Sequence, residues 1–259
     1  MNKKLAQAMG LTAALLAASA YAQNIKVAQV VELSGGGTAA GTMYRNGAKL
    51  AINEINAAGG VMGKKIESIE MDTQSQPAIA KAMTVKAIDE KVTAIFGPVF
   101  SGSILVSQTE SQKASIPNFT GGEASNVTAQ GNPYIFRSSF NQAMGMPKVA
   151  NYLANDLKAK SVAVVWVNND FGKGGRDAII KELGARNVKV AADISTDPGQ
   201  VDMSSAVLRA KQANADILIF FKEYPHTDIY DRAVEVVDLG IAAVEKRIRP
   251  VMSSFDCGL

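Results

Sequence analysis

The sequence contains very few of the side chains on which much enzyme chemistry depends. Its 259 residues include one cysteine, Cys257, and one histidine, His226. A single cysteine excludes an internal disulfide and any metal site built from several cysteines. A single histidine excludes a multi-histidine metal centre and leaves little room for a Ser-His-Asp triad. We therefore expect no enzymatic activity, no cofactor and no resident metal.

The chain also lacks an excess of charge of one sign. Lysine and arginine number 27 against 24 acidic residues, a formal net charge of +3. Removal of a leader that carries Lys3 and Lys4 would leave 25 basic against 24 acidic side chains, a net charge of +1. Such a balance gives no electrostatic footprint for nucleic acid. With 47% hydrophobic residues, the composition is that of a globular protein of one large or two small domains.

The first 22 residues have the pattern of a secretory signal peptide. Lys3 and Lys4 form a short positive region, a mostly apolar run follows, and Ala20 and Ala22 supply the small residues that a signal peptidase recognises. The alternatives are a membrane anchor or a buried helix, but the apolar run is shorter than the ~20 residues that span a bilayer. The pattern predicts cleavage after Ala22 and export to the periplasm as a soluble chain.

Beyond the leader, short apolar runs alternate with segments of helical periodicity. The runs Val162–Val167 and Ile217–Phe221 have no polar residue, as expected for strands covered by helices on both faces of a parallel sheet. The alternation predicts an α/β fold of parallel sheets flanked by helices. A polar connection around Phe140–Met146 divides the chain into two predicted lobes, residues 23–140 and 141–259.

Two glycine-rich segments superficially suggest nucleotide binding. Gly35, Gly37 and Gly41 have a spacing one residue longer than the dinucleotide-binding fingerprint, and no acidic residue follows about 20 positions later. Gly172-Lys173-Gly174 lacks the preceding glycine and the Ser/Thr of a phosphate-binding loop. Neither segment predicts a nucleotide cofactor.

A third turn is better suited to a small ligand. Ser101 stands where a predicted strand ends and a helix opens, so it either caps that helix or, with the free amide groups of the first turn, receives a carboxylate. Gly122 and Glu123 follow the next predicted strand and would lie alongside. Glu123 or nearby carbonyl groups could accept an ammonium group. A carboxylate site beside an ammonium site would bind an amino acid.

Several segments in order along the chain resemble the periplasmic leucine/isoleucine/valine-binding protein family. They are Leu33–Gly35, Asn46–Glu67, Phe96–Ser103, Ala124–Thr128, Tyr134–Arg137 and Asn168–Gly172. The resemblance extends over about residues 24–215. It implies the type I periplasmic-binding-protein fold, in which two α/β lobes joined by a hinge close on a small ligand. It further implies a monomer that delivers this ligand to a membrane ABC permease.

The resemblance also suggests roles for individual residues. Ser101 matches the carboxylate-binding serine of the family, and Gly122 and Glu123 lie, within one residue of register, where the family holds the amino group. Phe171 replaces a tyrosine and would keep only its apolar contact. Ala40 stands where several members carry an aromatic lid residue, which disfavours a large aliphatic ligand. The expected ligand is a branched-chain amino acid or a related amino acid or amide.

The end of the chain departs from that family. Family members continue well beyond this length, so the resemblance implies a C-terminally truncated second lobe and millimolar or undetectable binding. From about residue 215 the sequence resembles the microcystinase C family of zinc metallopeptidases, in Phe221–Arg232 and Arg249–Met252. There His226 matches a candidate zinc ligand, but it would be a remnant without partners or an ordinary helix-capping residue.

Three functions therefore compete. The first is a periplasmic substrate-binding protein of an ABC importer, truncated or fused at its end. The second is a fragment of a zinc metallopeptidase or amidohydrolase without a complete metal site. The third is a defective gene product that binds nothing.

Overall fold

The computed structural model of the protein describes residues 24–221. Its strands are β1 (Ile25–Val31), β2 (Ile66–Asp72), β3 (Ala94–Phe96), β4 (Asn118–Thr120), β5 (Ile135–Arg137), β6 (Ser161–Val167), β7 (Lys189–Thr196) and β8 (Ile217–Phe221). Its α-helices are α1 (Thr38–Ala57), α2 (Pro77–Asp89), α3 (Ser101–Lys113), α4 (Gln142–Asn151), α5 (Asp170–Gly184) and α6 (Ser204–Gln212). This is the predicted α/β alternation.

The described residues form two compact units, of which the first comprises residues 24–121 and 131–138. Its strands form one parallel sheet in the order β2-β1-β3-β4-β5. The buried core includes Ala28 and Val30 from β1 and Ile95 from β3, packed with apolar residues of β2 and α2. Phe119 stacks between Phe96 and Phe136, with ring centroids 5.4 and 5.2 Å apart. Parallel strands place all the β-to-α turns of this unit at one edge of the sheet.

The second unit comprises residues 122–130 and 139–221 within the described range. Its parallel sheet has the order β7-β6-β8. Successive side chains of β6 point to opposite faces, so Val162 and Val164 pack in one cluster with residues of α5, while Ala163 and Val165 pack in another with residues of α6. Both faces of β6 are therefore buried, as its continuous apolar run predicts.

The chain crosses between the two units at positions that differ from the predicted boundary at residue 140. Residues 122–130 cluster with the second unit, and residues 131–138, which contain β5, return to the first. Val127 is buried, and the Ser125 hydroxyl donates to Asn141 Oδ1 at 3.0 Å, both within the second unit. A polar connection in the sequence marks one crossing, whereas this short excursion has no compositional signal.

The hydrophobic periodicity of the sequence predicts a helix over Asp177–Leu183, but α5 begins seven residues earlier, at Asp170. Asn169 caps it by accepting a hydrogen bond from Gly172 N at 3.0 Å. A β-carbon on Gly172 would lie 2.0 Å from the carbonyl oxygen of Val167, and one on Gly175 would lie 2.3 Å from the Phe221 ring. The glycines are in the helix because close packing requires them there, which overrides their low helix propensity.

The sequence pattern also predicts a helix over Pro147–Leu157, and α4 differs from it at both ends. It begins at Gln142, where the Asn141 side chain accepts from Ala143 N at 2.8 Å, and it contains Pro147 in its interior. One π-helical turn, Tyr152–Asp156, follows directly.

Some sequence-based predictions lie outside the described residues. These are the signal-peptidase residues Ala20 and Ala22 and the histidine His226. They also include two elements that the sequence pattern predicts, a helix over residues 228–244 and a strand over residues 249–253. Between residues 24 and 221, the structure contains no helix with the length and apolar character needed to cross a bilayer.

Candidate functional site

Ser101 is the first residue of α3, directly after the turn that follows β3. The N-cap position is taken by Phe100, whose side chain makes no capping hydrogen bond. Ser101 is 1% exposed. The first amide groups of any helix have no acceptor within the helix, and the helix dipole places partial positive charge there. The structure thus puts the Ser101 hydroxyl at a helix N-terminus but not in the capping position that was its alternative role.

A buried carboxylate holds the turn that leads into α3. Glu32, at the end of β1, is 0% exposed, and its Oε2 and Oε1 accept from Val99 N at 3.0 Å and from Phe100 N at 3.1 Å. Burial raises the pKa of the Glu32 carboxyl above its ordinary value, although the hydrogen bonds from Phe100 and Val99 oppose this rise. Glu32 therefore connects the end of β1 to the residue before Ser101.

The turn after β1 is fastened by a second carboxylate. Asp72 accepts from Leu33 N at 2.9 Å and from Ser34 N at 3.1 Å through Oδ1, and from the Ser34 hydroxyl at 2.5 Å through Oδ2. Desolvation opposes ionisation, but the hydrogen bonds from Ser34, Gln74 and Leu33 together lower the pKa of Asp72. In addition, the Ser75 hydroxyl donates a hydrogen bond to Ser34 O at 2.6 Å. These bonds fix the backbone of the turn.

The carboxyl end of β4 in the first unit is lined by a half-buried tyrosine. The Tyr44 hydroxyl donates to Phe119 O at 2.8 Å, and burial raises the pKa of this hydroxyl. A β-carbon on Gly121 would meet Val99 at 3.3 Å and Tyr44 at 3.4 Å. Tyr44, Val99 and Gly121 are thus packed together next to the turn that precedes Ser101.

Gly122 and Glu123 belong to the second unit, whereas the sequence placed them in the first lobe. Glu123 is 9% exposed, and its carbonyl oxygen accepts from Gln142 N at 3.1 Å. The carbonyl oxygen of Gly122 accepts from the Ser139 hydroxyl at 3.1 Å. Both residues lie in a backbone segment held to the start of α4.

Phe171 lies in the first turn of α5, also in the second unit. It is half-buried and packs against the hydrophobic cluster that contains Leu153, Ile179 and Leu183. Its carbonyl oxygen accepts from Gln142 Nε2 at 3.0 Å. Its ring therefore contributes to the core of this unit, in addition to any contact with a ligand.

The part of the chain that the structure describes contains no group of three or more His, Cys, Asp or Glu side chains that could hold a metal ion. The carboxylates near the turns make hydrogen bonds to amide groups instead, as Glu32 and Asp72 do.

Sequence reasoning missed Glu32, Asp72 and Tyr44. A signal for Glu32 was available, because an acidic residue directly after a buried strand and before a glycine-rich turn has to find partners. No local pattern pointed to Tyr44, whose partner Phe119 lies 75 residues further along the chain.

Comparison with known proteins agrees with this architecture. The family model of the periplasmic binding protein matches residues 24–226. The Leu/Ile/Val-binding protein BraC3 of Rhizobium johnstonii is 27% identical over 227 residues, 86% of this chain and 62% of the relative. The leucine-specific-binding protein of Salmonella typhimurium is 27% identical over 217 residues, 83% of this chain and 59% of the relative. The chain thus spans about three fifths of these relatives.

A solved structure shows the same likeness. The branched-chain amino acid transporter substrate-binding protein LivJ of Streptococcus pneumoniae, in complex with isoleucine, superimposes with a TM-score of 0.71 and 30% identity. The match covers 76% of this chain and 57% of that protein. Because the family model matches well over half of the sequence and the sheets have the expected parallel order, this chain belongs to the periplasmic binding protein family.

Proposed function

We propose that this chain is a substrate-binding protein of an ABC importer and that it binds a branched-chain amino acid or a related amino acid or amide in the periplasm. The observation that carries the proposal is the position of Ser101 at the N-terminus of α3, in a chain of this family. The relatives named above are a Leu/Ile/Val-binding protein and a leucine-specific-binding protein. No finding supports the alternative of a metallopeptidase fragment.

The carboxylate of the ligand is the group that Ser101 and the first turn of α3 suit. A hydroxyl donor, amide groups without intrahelical acceptors and the positive end of the helix dipole all favour an anion there. Hydrogen bonds to a charged group contribute about 1.5–3 kcal/mol each. The Ser101 hydroxyl should therefore account for about a tenfold to hundredfold part of the affinity.

The ammonium group of the ligand is assigned to Gly122 and Glu123. Glu123 offers the negative charge that an ammonium group requires, and Gly122 offers a carbonyl oxygen. Phe171 is proposed to give the side chain of the ligand an apolar surface. The remaining parts of the proposal are export through cleavage after Ala22, delivery to a membrane permease, and a monomeric state.

Titration calorimetry of the whole mature chain tests the proposal. Leucine, isoleucine and valine are compared with leucinamide, which lacks the carboxylate, and with 4-methylpentanoate, which lacks the ammonium group. We expect the amino acids to bind and leucinamide to bind less tightly. Absence of heat with every amino acid at concentrations well above the millimolar range would refute the proposed function.

Two variants assign the roles. Ser101→Ala should weaken amino-acid binding about tenfold to hundredfold. Ser111→Ala is the matched control, because this buried hydroxyl in the same helix donates to Gln108 O at 2.9 Å. Glu123→Gln should weaken the binding of leucine but not that of 4-methylpentanoate. Equal losses for both ligands would contradict the assignment of the ammonium group to Glu123.

A further inference from the structure

A buried glutamate stands at the start of the turn that carries the proposed carboxylate site. Glu32 is fully buried, and its two oxygens accept from consecutive amide groups, those of Val99 and Phe100. Among residues 24–221 it forms no ion pair with a basic side chain. A carboxylate is an expensive group to bury, and an apolar residue would fill the same space without that cost. Its presence indicates a requirement for two acceptors at this place.

The acceptor pair fixes the backbone directly before α3. Val99 and Phe100 precede Ser101, and Phe100 is the N-cap residue of the helix. Because both oxygens of one rigid carboxylate are used, the two amide groups are held in a single relative orientation. The orientation of the next residues, Ser101 and Gly102, follows from it through the chain.

Two of the glycines that the sequence left unexplained, Gly37 and Gly41, pack directly against Glu32. A β-carbon on Gly37 would lie 2.7 Å from Cβ of Glu32 and 2.9 Å from the Phe100 ring. A β-carbon on Gly41 would lie 2.0 Å from the Glu32 carbonyl oxygen. Close packing against Glu32 therefore accounts for two of the three glycines that imitate a nucleotide-binding loop.

The backbone that follows Glu32 is also held by hydrogen bonds. Asp72 holds the amide groups of Leu33 and Ser34, and Gly37 N donates to Ser75 Oγ at 2.8 Å. The backbone on the C-terminal side of Glu32 is thus fixed by bonds to the end of β2. Because the backbone after Glu32 is held in place, the hydrogen bonds from Val99 and Phe100 to Glu32 hold the residue before Ser101 in place as well.

We propose that Glu32 is a positioning residue of the ligand site: through the amide groups of Val99 and Phe100 it sets the geometry of the α3 N-terminus at Ser101. This inference rests on the proposed function for its effect on binding, but its structural step does not. Glu32 makes no contact with the ligand and acts only through the backbone.

The test replaces one acceptor oxygen. Glu32→Gln keeps the shape of the side chain but offers one oxygen and an amide group that cannot accept. In ¹H–¹⁵N spectra of the variant, the amide proton of Val99 or Phe100 should move upfield, and hydrogen exchange of residues 97–103 should become faster. Leucine should bind about tenfold more weakly. Asp216→Asn is the control, because this carboxylate also accepts from two consecutive amide groups, Lys160 N at 2.7 Å and Ser161 N at 2.9 Å, but belongs to the second unit and takes no part in holding the turn before Ser101.

The outcomes separate this inference from the proposed function. Unchanged Val99 and Phe100 resonances in Glu32→Gln would overturn the role of Glu32. If the wild-type chain binds leucine, an equal affinity of the variant for leucine would overturn it as well. If the wild-type chain binds no amino acid, the proposed function fails, and slower exchange at Ser101 and Gly102 in wild type than in the variant still supports the positioning step. If Glu32→Gln does not fold, a through-hydrogen-bond coupling between the Glu32 carboxyl carbon and Val99 or Phe100 nitrogen in the wild type decides, and its absence counts against the proposal.

Discussion

Gly41 lies against the backbone of Glu32 so closely that a β-carbon added to it would stand 2.0 Å from the Glu32 carbonyl oxygen. For Gly47, six residues further along the same helix α1, a β-carbon would meet no atom outside the neighbouring helix backbone within 4 Å. Two glycines in one helix therefore have different reasons to be there, and this difference can be measured.

Gly41→Ala should destabilise the protein severely, because the methyl group meets backbone atoms that cannot move without displacing β1 or α1. Gly47→Ala should stabilise it by about 0.5–1 kcal/mol, since alanine has the higher helix propensity and the space is open. Urea denaturation followed by circular dichroism measures both. Similar free energies of unfolding for the two variants would contradict the packing described for α1.

A second close approach joins α5 to β8. A β-carbon on Gly175 would lie 2.3 Å from Cδ1 of Phe221, which is 7% exposed. Gly175→Ala should lower the stability of the second unit by about 1–3 kcal/mol through overpacking. Combining it with Phe221→Leu should recover part of the loss, because the smaller side chain leaves room for the methyl group. An additive double mutant, measured by thermal unfolding, would show that the two positions are not coupled.

The N-cap of α5 gives a third prediction. Asn169 accepts from Gly172 N at 3.0 Å, so Asn169→Ala should lower the free energy of unfolding by about 1 kcal/mol. Asn169→Asp keeps the acceptor and adds a negative charge at the positive end of the helix dipole, and it should retain the stability of the wild type. Chemical denaturation of both variants at neutral pH checks this. A loss of equal size in the aspartate variant would argue against capping as the role of Asn169.

The fourth prediction concerns acid stability. Arg176 Nε donates to Asp193 Oδ2 at 2.9 Å and Trp166 Nε1 to Oδ1 at 2.7 Å, with the guanidinium 5.8 Å from the indole centroid. The hydrogen bond from Arg176 lowers the pKa of Asp193, with a smaller contribution from Trp166 that burial opposes. A carboxyl whose pKa is lower in the folded state stabilises the protein above its unfolded pKa, near 4, and this contribution is lost as the pH falls through the folded pKa.

Asp193→Asn should therefore flatten the fall in stability below about pH 4, because the variant has no carboxyl to protonate there. Trp166 is the only tryptophan of the chain, so its fluorescence reports unfolding around this ion pair directly. Urea titrations between about pH 2 and pH 6 give the free energy of unfolding of both proteins. An acid limb in the variant that runs parallel to that of the wild type would contradict the assignment to Asp193.

Much of the fold follows from local patterns. The apolar run Ile217–Phe221 and the β-branched run Ile25–Val31 predict strands with the bounds of β8 and β1, and the α/β class with parallel sheets is confirmed. The start of α5 was predicted wrongly, because Gly172 and Gly175 are unfavourable in an isolated helix and their reason to be there, contact with Val167 and Phe221, lies in the tertiary structure. Propensity is a weak prior that packing overrides.

Some features of the candidate site can likewise be predicted from the sequence, and others depend on tertiary contacts. Ser101 at a strand-to-helix turn is visible in the sequence, because a buried strand, a turn and a hydroxyl residue follow one another within a few positions. The role of Glu32 depends on amide groups 67 and 68 residues away, and no local pattern specifies such a pairing. Likewise, the membership of Gly122 and Glu123 in the second unit results from contacts that residues 122–130 make after the chain has folded.

The sequence by itself therefore determined the alternation of strands and helices, the parallel sheets and the turn that presents Ser101, since periodicity and turn chemistry act over a few residues. The tertiary structure alone decided where the chain crosses between the units, why α1 and α5 contain glycines, and which buried carboxylate orients the turn before Ser101. These features depend on atoms that are distant along the chain and meet only after folding.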